Sequence, residues 1–351
     1  MRKTFYLLGL LFCCACCLHG QQGKDSLMLR VMSYNVENLF DYEHDSLKND
    51  LEFLPEAERH WDRKKYNRKL NAISTVIQAV GEWQAPALVG LCEVENERTL
   101  TDLTRHSKLR RLGYRFVMTD SPDERGIDVA LLYQPESFKL IETQHIPVTL
   151  PSKNDRPTRD ILHVTGLLQN LDTLDVFVCH FPSRTGGEKE SEPKRIAAAQ
   201  ILRHAVDSLV LRRNDAKIIL MGDFNDYPDN KSVREVLEAA DAFPQLPTYD
   251  SGKLYHLLAG NARGRSDYGS YRYRGEWNFL DHLIVTGNLL RSSSALYTVP
   301  GTADVYKAPF LLTPDTRYGG EQPFRNYNGM KYSKRGYSDH LPVYADFRLL
   351  Y

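Results

Sequence analysis

Apolar residues in this chain fall into two kinds of stretch that alternate along its length. Short, largely apolar runs have the length of strands buried on both faces: Leu29 to Tyr34, Ala87 to Leu91, Leu174 to Cys179 and Lys217 to Met221. Between them, apolar residues recur every three or four positions. Tyr66, Leu70, Ile73, Ile77 and Val80 predict an amphipathic helix from Arg63 to Val80. Ala198, Ile201/Leu202, Ala205 and Leu209 predict a second, opened by Pro193. The segment Leu100 to Leu112 reads as helical, and a short helix follows at Val233 to Ala240. Tyr114 to Met118, Val129 to Tyr133, Phe138 to Ile141 and Ile161 to Leu168 read as a mainly antiparallel series of strands, with Phe279 to Thr286 and Leu341 to Leu349 completing the set. Asp41 to Asp62, Thr248 to Glu276 and Tyr297 to Tyr337 lack periodicity and read as loops, the last long enough to suggest a substrate rim. Helices separated by several strands favour an α/β fold of two packed sheets covered by helices.

Composition narrows this further. The chain has 351 residues, 42% of them hydrophobic, enough for one large domain or two smaller ones. No repeat, low-complexity tract or linker justifies a cut, so 21–351 is read as one domain. Residues 1–20 read as a signal peptide: Arg2 and Lys3, an apolar run from Thr4 to Leu18, then Leu18-His19-Gly20 before Gln21. The run is too short for a permanent membrane anchor, which predicts an exported protein. Cys13, Cys14, Cys16 and Cys17 raise a lipoprotein as the competing reading, but no clear lipoprotein spacing surrounds them. Only Cys92 and Cys179 remain beyond that segment. Their alternation with polar neighbours predicts thiols turned into packing, and leaves a single disulfide open. Basic and acidic residues balance at 45 each, so no global field draws a polyanion. A phosphate-bearing substrate would need a metal ion and local Arg or Lys groups.

Candidate chemistry sits where apolar runs end. In Lys217-Ile-Ile-Leu-Met-Gly-Asp-Phe-Asn-Asp226, Asp223 and Asn225 share one face if the backbone stays extended, while Phe224 turns to the core. Taken alone, this is equally an ordinary strand-to-turn transition. Glu93 ends Leu-Val-Gly-Leu-Cys-Glu and offers the carboxylate oxygen that hard divalent cations prefer, whereas Glu95 and Glu97 read as solvated acids. Asn35, His180, Asp281 and Ser338-Asp339-His340 occupy comparable positions. His282 would point away from Asp281, as a packing or surface histidine. Asp128 could pair with His180 or equally bind local backbone amides. Arg184, beside Gly186 and Gly187, could fork onto a phosphate; Arg125 and Arg159 are weaker candidates. Tyr271, Tyr273 and Trp277 could stack on bases or simply pack the core.

In this order and spread, the segments Ser33-Tyr-Asn35, Gly90-Leu-Cys-Glu93, Cys179-His-Phe-Pro-Ser-Arg184, Gly222-Asp-Phe-Asn225, Leu280-Asp-His282 and Ser338-Asp-His340 resemble the endonuclease/exonuclease/phosphatase superfamily. Its members include pancreatic-type deoxyribonucleases, abasic-site endonucleases, bacterial sphingomyelinases and inositol-phosphate phosphatases. The resemblance runs from about Leu29 to Phe347. It implies a four-layer α/β sandwich, two packed mixed β-sheets flanked by helices, with the polar strand ends gathered at one rim. It also implies metal-assisted phosphodiester hydrolysis using magnesium or manganese, with calcium a further candidate. Glu93 and Asp339 would be metal ligands. Asp223, held by Asn225, would orient or deprotonate the attacking water, with Asn35 placing the ligand network. Asp281 would fix His340 against the phosphoryl oxygens, His180 would donate a proton, and Arg184 would bind phosphate. The chain looks like secreted bacterial extracellular endonucleases, so DNA is the first substrate expected and RNA the second. A phosphatase or phosphodiesterase on lipid headgroups or small phosphoesters is the alternative, and an inactive phosphate-ligand binder a third.

Overall fold

The computed structural model describes residues 25–242 and 248–351. The expected signal peptide lies outside the described residues. Two seven-stranded sheets stack face to face. At the centre of the first, β1 (Ser26–Leu39) runs parallel to β2 (Leu88–Val94) and antiparallel to the final strand, Val343–Leu350. Beyond β2 lie β4 (Asp128–Tyr133) and then the edge strand β3 (Arg115–Met118). The second sheet is ordered β5 (Phe138–Ile146), β6 (Ile161–Leu168), β7 (Thr173–His180), β8 (Ile218–Asp223), Asp281–Thr286, Leu254–His256 and Ala240–Asp241. Only β7–β8 and the outermost pair are parallel in it.

Helix α1 (Arg63–Gly81) starts where the Asp62 carboxylate accepts from the Lys65 amide, the usual satisfaction of an orphan donor. Its apolar stripe, with α2 (Glu97–Arg105), covers the first sheet. Helix α3 (Glu188–Arg212) covers the second, burying Ala198, Ala199, Leu202, Val206 and Leu209 against Phe177, Cys179, Ile218, Leu220 and Ile284. The result is the expected sandwich of helix, sheet, sheet and helix.

Strand alternation places the site. Val176 and Val178, Ile219 and Met221, and Leu283 and Val285 all face the first sheet in the inter-sheet core. The next inward residues are His180, Asp223 and Asp281. Because β7 pairs His180 with Asp223, and the neighbouring strand pairs Asp281 with Asp223, the three stand in one row across three strands. Gly222 makes the approach possible. Its φ is 136°, and a Cβ there would lie 1.9 Å from the Cys179 carbonyl oxygen.

Several elements depart from expectation. Helix α3 begins at Glu188, five residues before Pro193. The proline sits in its second turn, and the early start is held by Arg195, which donates to Ser191 Oγ at 2.7 Å and to the Glu188 carbonyl at 2.8 Å. The helical segment after Leu100 ends at Arg105 and is followed by a tighter turn, Lys108–Arg111. Only a five-residue turn, Ser232–Val236, forms where a further helix was expected. The aperiodic 248–276 stretch supplies Leu254–His256 to the second sheet and a hairpin, Tyr271–Tyr273 with Glu276–Asn278. The long 297–337 stretch folds into two small hairpins. Strands this short carry too few apolar positions to show a period.

Candidate active site

From the second sheet, Asp223 and Asp281 enter the rim fully buried, with His180 only 4% exposed. His340 meets them from the segment preceding Val343–Leu350. Ser338 fixes that approach: its hydroxyl donates to the Asn35 carbonyl at 2.7 Å and accepts from the His340 amide at 3.1 Å. His340 Nδ1 is 2.7 Å from Asp281 Oδ2. A carboxylate only accepts, so Nδ1 carries the proton and Nε2 is left facing Asp223 Oδ2, 3.7 Å away. His180 Nε2 lies 3.7 Å from the same oxygen and 3.9 Å from Glu93 Oε1.

The first sheet supplies the other half. Asn35 continues the inward face of β1, and its Nδ2 donates to Asp223 Oδ2 at 3.0 Å and approaches Glu93 Oε1 at 3.4 Å. Glu93 does not arrive by simple alternation. Cys92 already points inward, its Sγ 3.3 Å from the Cys179 carbonyl. A register shift between Cys92 and Val94, with Glu93 at φ 66°, turns the carboxylate to the rim. There Oε2 accepts from the Asn38 amide at 2.9 Å. Both cysteines are buried and free.

Charge is unevenly distributed over this cluster. Burial opposes the His340 imidazolium, but Asp281 and then Asp223 overcome it and hold its pKa well above the ordinary histidine value. Burial, helped by Arg159, Arg125 and His340, pushes His180 well below that value. Asp223 is raised to about 7, chiefly by burial, with His340 opposing the shift. One imidazole is therefore cationic and the other neutral, on either side of a carboxyl poised near neutrality.

The sequence-based roles need corrections. Asn225 does not share an extended face with Asp223, because it takes φ 51° and breaks the strand. Its backbone amide donates to Asp223 Oδ1 at 2.8 Å, while its side chain donates to the Phe181 carbonyl at 3.0 Å. Asn35 is the side-chain amide that holds Asp223. Arg184 spends its guanidinium on the Asn225 carbonyl, Asp226, Asn230 and Glu188, with its face on Tyr227, so its placement does not present a fork to substrate. Asp128 binds Thr119, Ser121 and the Ser121 amide, the local alternative, and not His180. His282 is a packing histidine: buried, it shares a hydrogen bond with His256 and contacts the Asp226 carbonyl at 2.8 Å. A neutral His180 is also poorly suited to the proton donation expected of it.

Three functional candidates escaped the sequence reading. Glu37, two residues past Asn35, has φ 53° and is buried, with Oε2 lacking a partner. Burial and Asp339 raise its pKa to about 7. Arg325 binds both Glu37 and Asp339, reaching Asp339 Oδ2 at 3.1 Å. Lys69, on the inner face of α1, is 1% exposed. An adjacent acid and amide at a strand end would have flagged Glu37, but nothing periodic marks Arg325.

Glu93, His180, Asp223, Asp339 and His340 line one end of a cleft of about 1270 Å³. Its lining includes the cations Arg125, Arg156, Arg159 and Lys194 and the aromatic rings of Tyr271 and Tyr273. The Tyr271 ring lies 4.8 Å from His340. Asp223, Asp281 and His340 place potential ligand atoms within 4.8 Å of one another. That trio is an ion-paired unit, because a protonated imidazole has no lone pair to give. The donors suited to a hard cation are the cleft-lining carboxylates Glu93 and Asp339. Asp339 gives only Oδ2 to Arg325, and Glu93 gives Oε2 to the Asn38 amide, so an oxygen of each remains and the residues present fit a divalent ion.

Comparison with known proteins agrees with this geometry. A family model described as the Endonuclease/Exonuclease/phosphatase family matches residues 30–348. No curated protein matches the sequence. Among solved structures, the human Nocturnin catalytic domain with bound sulfate superposes with TM-score 0.54 at 18% identity, over 92% of this chain and 97% of that one. An endonuclease/exonuclease/phosphatase family protein from Bacteroides thetaiotaomicron gives 0.54 at 15%, over 93% and 96%. D. rerio TDP2 complexed with single-strand DNA product gives 0.54 at 15%, over 91% and 98%. At these identities the likeness is one of fold.

Proposed function

Since the chain belongs to the endonuclease/exonuclease/phosphatase family of phosphoester hydrolases, we propose that it is an exported, divalent-metal-dependent phosphodiesterase that cleaves nucleic acid, DNA in the first instance. The observation that carries the reading is the convergence of Asn35, Glu93, His180, Asp223, Asp281 and His340 at the rim of one cleft. Export rests on the amino-terminal segment alone. The structural neighbours include TDP2 bound to single-strand DNA product, which favours a nucleic-acid substrate. Among the described residues no helix is long and apolar enough to cross a membrane.

Asp223 receives the proton of the attacking water. A base poised near 7 is matched to that task. Asn35 and the Asn225 amide fix its two oxygens, so the lone pair that acts is the one turned to the cleft. His340 presents a charged Nε2–H to a phosphoryl oxygen where negative charge grows, and Asp281 keeps it charged and oriented. His180 offers a neutral hydrogen-bonding edge on the opposite side. Glu93 and Asp339 would hold magnesium or manganese, which would supply charge neutralisation at the phosphoryl and leaving oxygens. Parallel assays on supercoiled plasmid, bis-p-nitrophenyl phosphate and p-nitrophenyl phosphate test the reading. Metal-dependent nicking and diester cleavage support it. Monoester cleavage alone would replace it with a phosphatase, and no turnover with any divalent metal would leave only a binding protein.

A further inference from the structure

The geometry points to Arg325 as the arginine that grips the substrate's phosphoryl group, the role that Arg184 does not fill. This deepens the proposed reading of the site and rests on it. Among the arginines near the rim, Arg184 and Arg159 are spent internally; Arg159 donates to Asp123 and to the Phe181 carbonyl. Arg125 and Arg156 line the cleft but are loosely held, their nearest carboxylates 4.0 and 3.5 Å away, so nothing fixes their aim. Arg325 differs. Its Nε and Nη2 are held by Glu37, and Nη2 also by Asp339, while Nη1 has no hydrogen-bond partner among the described residues. Its side chain is 41% exposed. Asp339 is the sequence neighbour of His340 and lines the same cleft. Two carboxylates thus aim a guanidinium whose two Nη1–H groups stay free beside Asp339, able to donate a charged hydrogen bond to a phosphate oxygen.

The segment carrying Arg325 is built to keep it there. Lys69 Nζ, buried under the site, donates to Asn326 Oδ1 at 3.1 Å and to the Tyr337 carbonyl at 2.6 Å. Asn326 Nδ2 donates in turn to the Gly336 carbonyl at 2.9 Å. Gly336 packs so closely that a Cβ would sit 2.2 Å from the Arg325 carbonyl oxygen. Burying a lysine is costly unless it is fully engaged. A hairpin that merely closed the surface could be held by apolar contacts at no such cost. The network instead fixes the backbone on both sides of one half-exposed arginine.

The test is binding of inorganic phosphate to the full chain with magnesium present, by calorimetry, alongside hydrolysis of bis-p-nitrophenyl phosphate. Arg325→Ala should weaken phosphate binding roughly 10- to 100-fold, as loss of a charged hydrogen-bond pair predicts. Added guanidinium ion should restore part of the lost turnover, which a purely structural role would not allow. Arg325→Lys keeps the charge but cannot serve Glu37, Asp339 and a phosphate from one planar group, and should fall between; it decides the matter if the alanine variant does not fold. Phosphate affinity within twofold of wild type in a folded variant would overturn the assignment while leaving the reading of the site intact. A wild-type protein that turns over no phosphoester would instead overturn the function, and this inference with it.

Discussion

Replacing Asp281 by Asn removes one buried charge with almost no change in shape, which isolates its electrostatic effect on His340. The carboxylate is fully buried and 2.7 Å from His340 Nδ1. Unit charges about 4 Å apart interact by ~1 kcal/mol in water and ~4 kcal/mol at the effective dielectric near a protein surface. Breaking a buried pair by removing one partner costs about 3–5 kcal/mol. A loss of ~3 kcal/mol is about two powers of ten in the imidazole's protonation equilibrium. Burial already disfavours the imidazolium, and Asp281 is the first of the charges that overcome it. The variant should therefore carry a neutral His340 at pH 8. Losing one preorganised charge from the transition state lowers kcat about 10²- to 10³-fold.

The assay is kcat for bis-p-nitrophenyl phosphate between pH 5.5 and 9 in saturating magnesium, with the His340 ring followed by NMR. Activity of Asp281→Asn should recover partly towards the acid end, where the imidazole regains its proton. Wild type should show no such recovery. A loss below about fivefold, or a pH profile parallel to wild type, would refute the claim that Asp281 keeps His340 charged.

Asp223→Asn should abolish turnover yet raise thermal stability above neutral pH when divalent ions are chelated. A carboxyl whose folded pKa is raised to about 7 stabilises the fold at low pH and loses that contribution as pH rises through 7. Wild type should accordingly melt several degrees below the variant at pH 8 and close to it at pH 4, by calorimetry; equal melting temperatures at pH 8 would contradict this. Glu93→Gln should weaken magnesium binding at least tenfold in titration calorimetry with little effect on melting temperature. Unchanged affinity would move the ion away from Glu93.

Much of this site was legible because it obeys strand alternation. Val178 to His180, Met221 to Asp223 and Leu283 to Asp281 each continue a buried inward face by one step, and the period of two carries the reading to the rim. Where the backbone leaves that period the reading fails. Glu93 and Asn225 both adopt positive φ, so one carboxylate rotates into the cluster and one side chain rotates out of it. Arg184 fails for another reason: its partners Asp226 and Asn230 lie some forty residues away, and only packing brings them together. Glu37, Lys69 and Arg325 form a network across nearly the whole chain. Lys69 was legible only as a position on a helix. Its partners sit in a segment with no apolar period.

The most direct measurement of the central claim is magnesium-dependent nicking of supercoiled plasmid by the wild-type protein and by Asp223→Ala and His340→Ala, with folding checked by circular dichroism. Asp223 ends a strand of the second sheet and His340 lies in the segment leading into the first sheet's final strand, yet their side chains converge to 3.7 Å. The account predicts nicking by wild type that chelation removes, and a loss of at least a thousandfold in each folded variant. Nicking retained near wild-type rates in either one would contradict it.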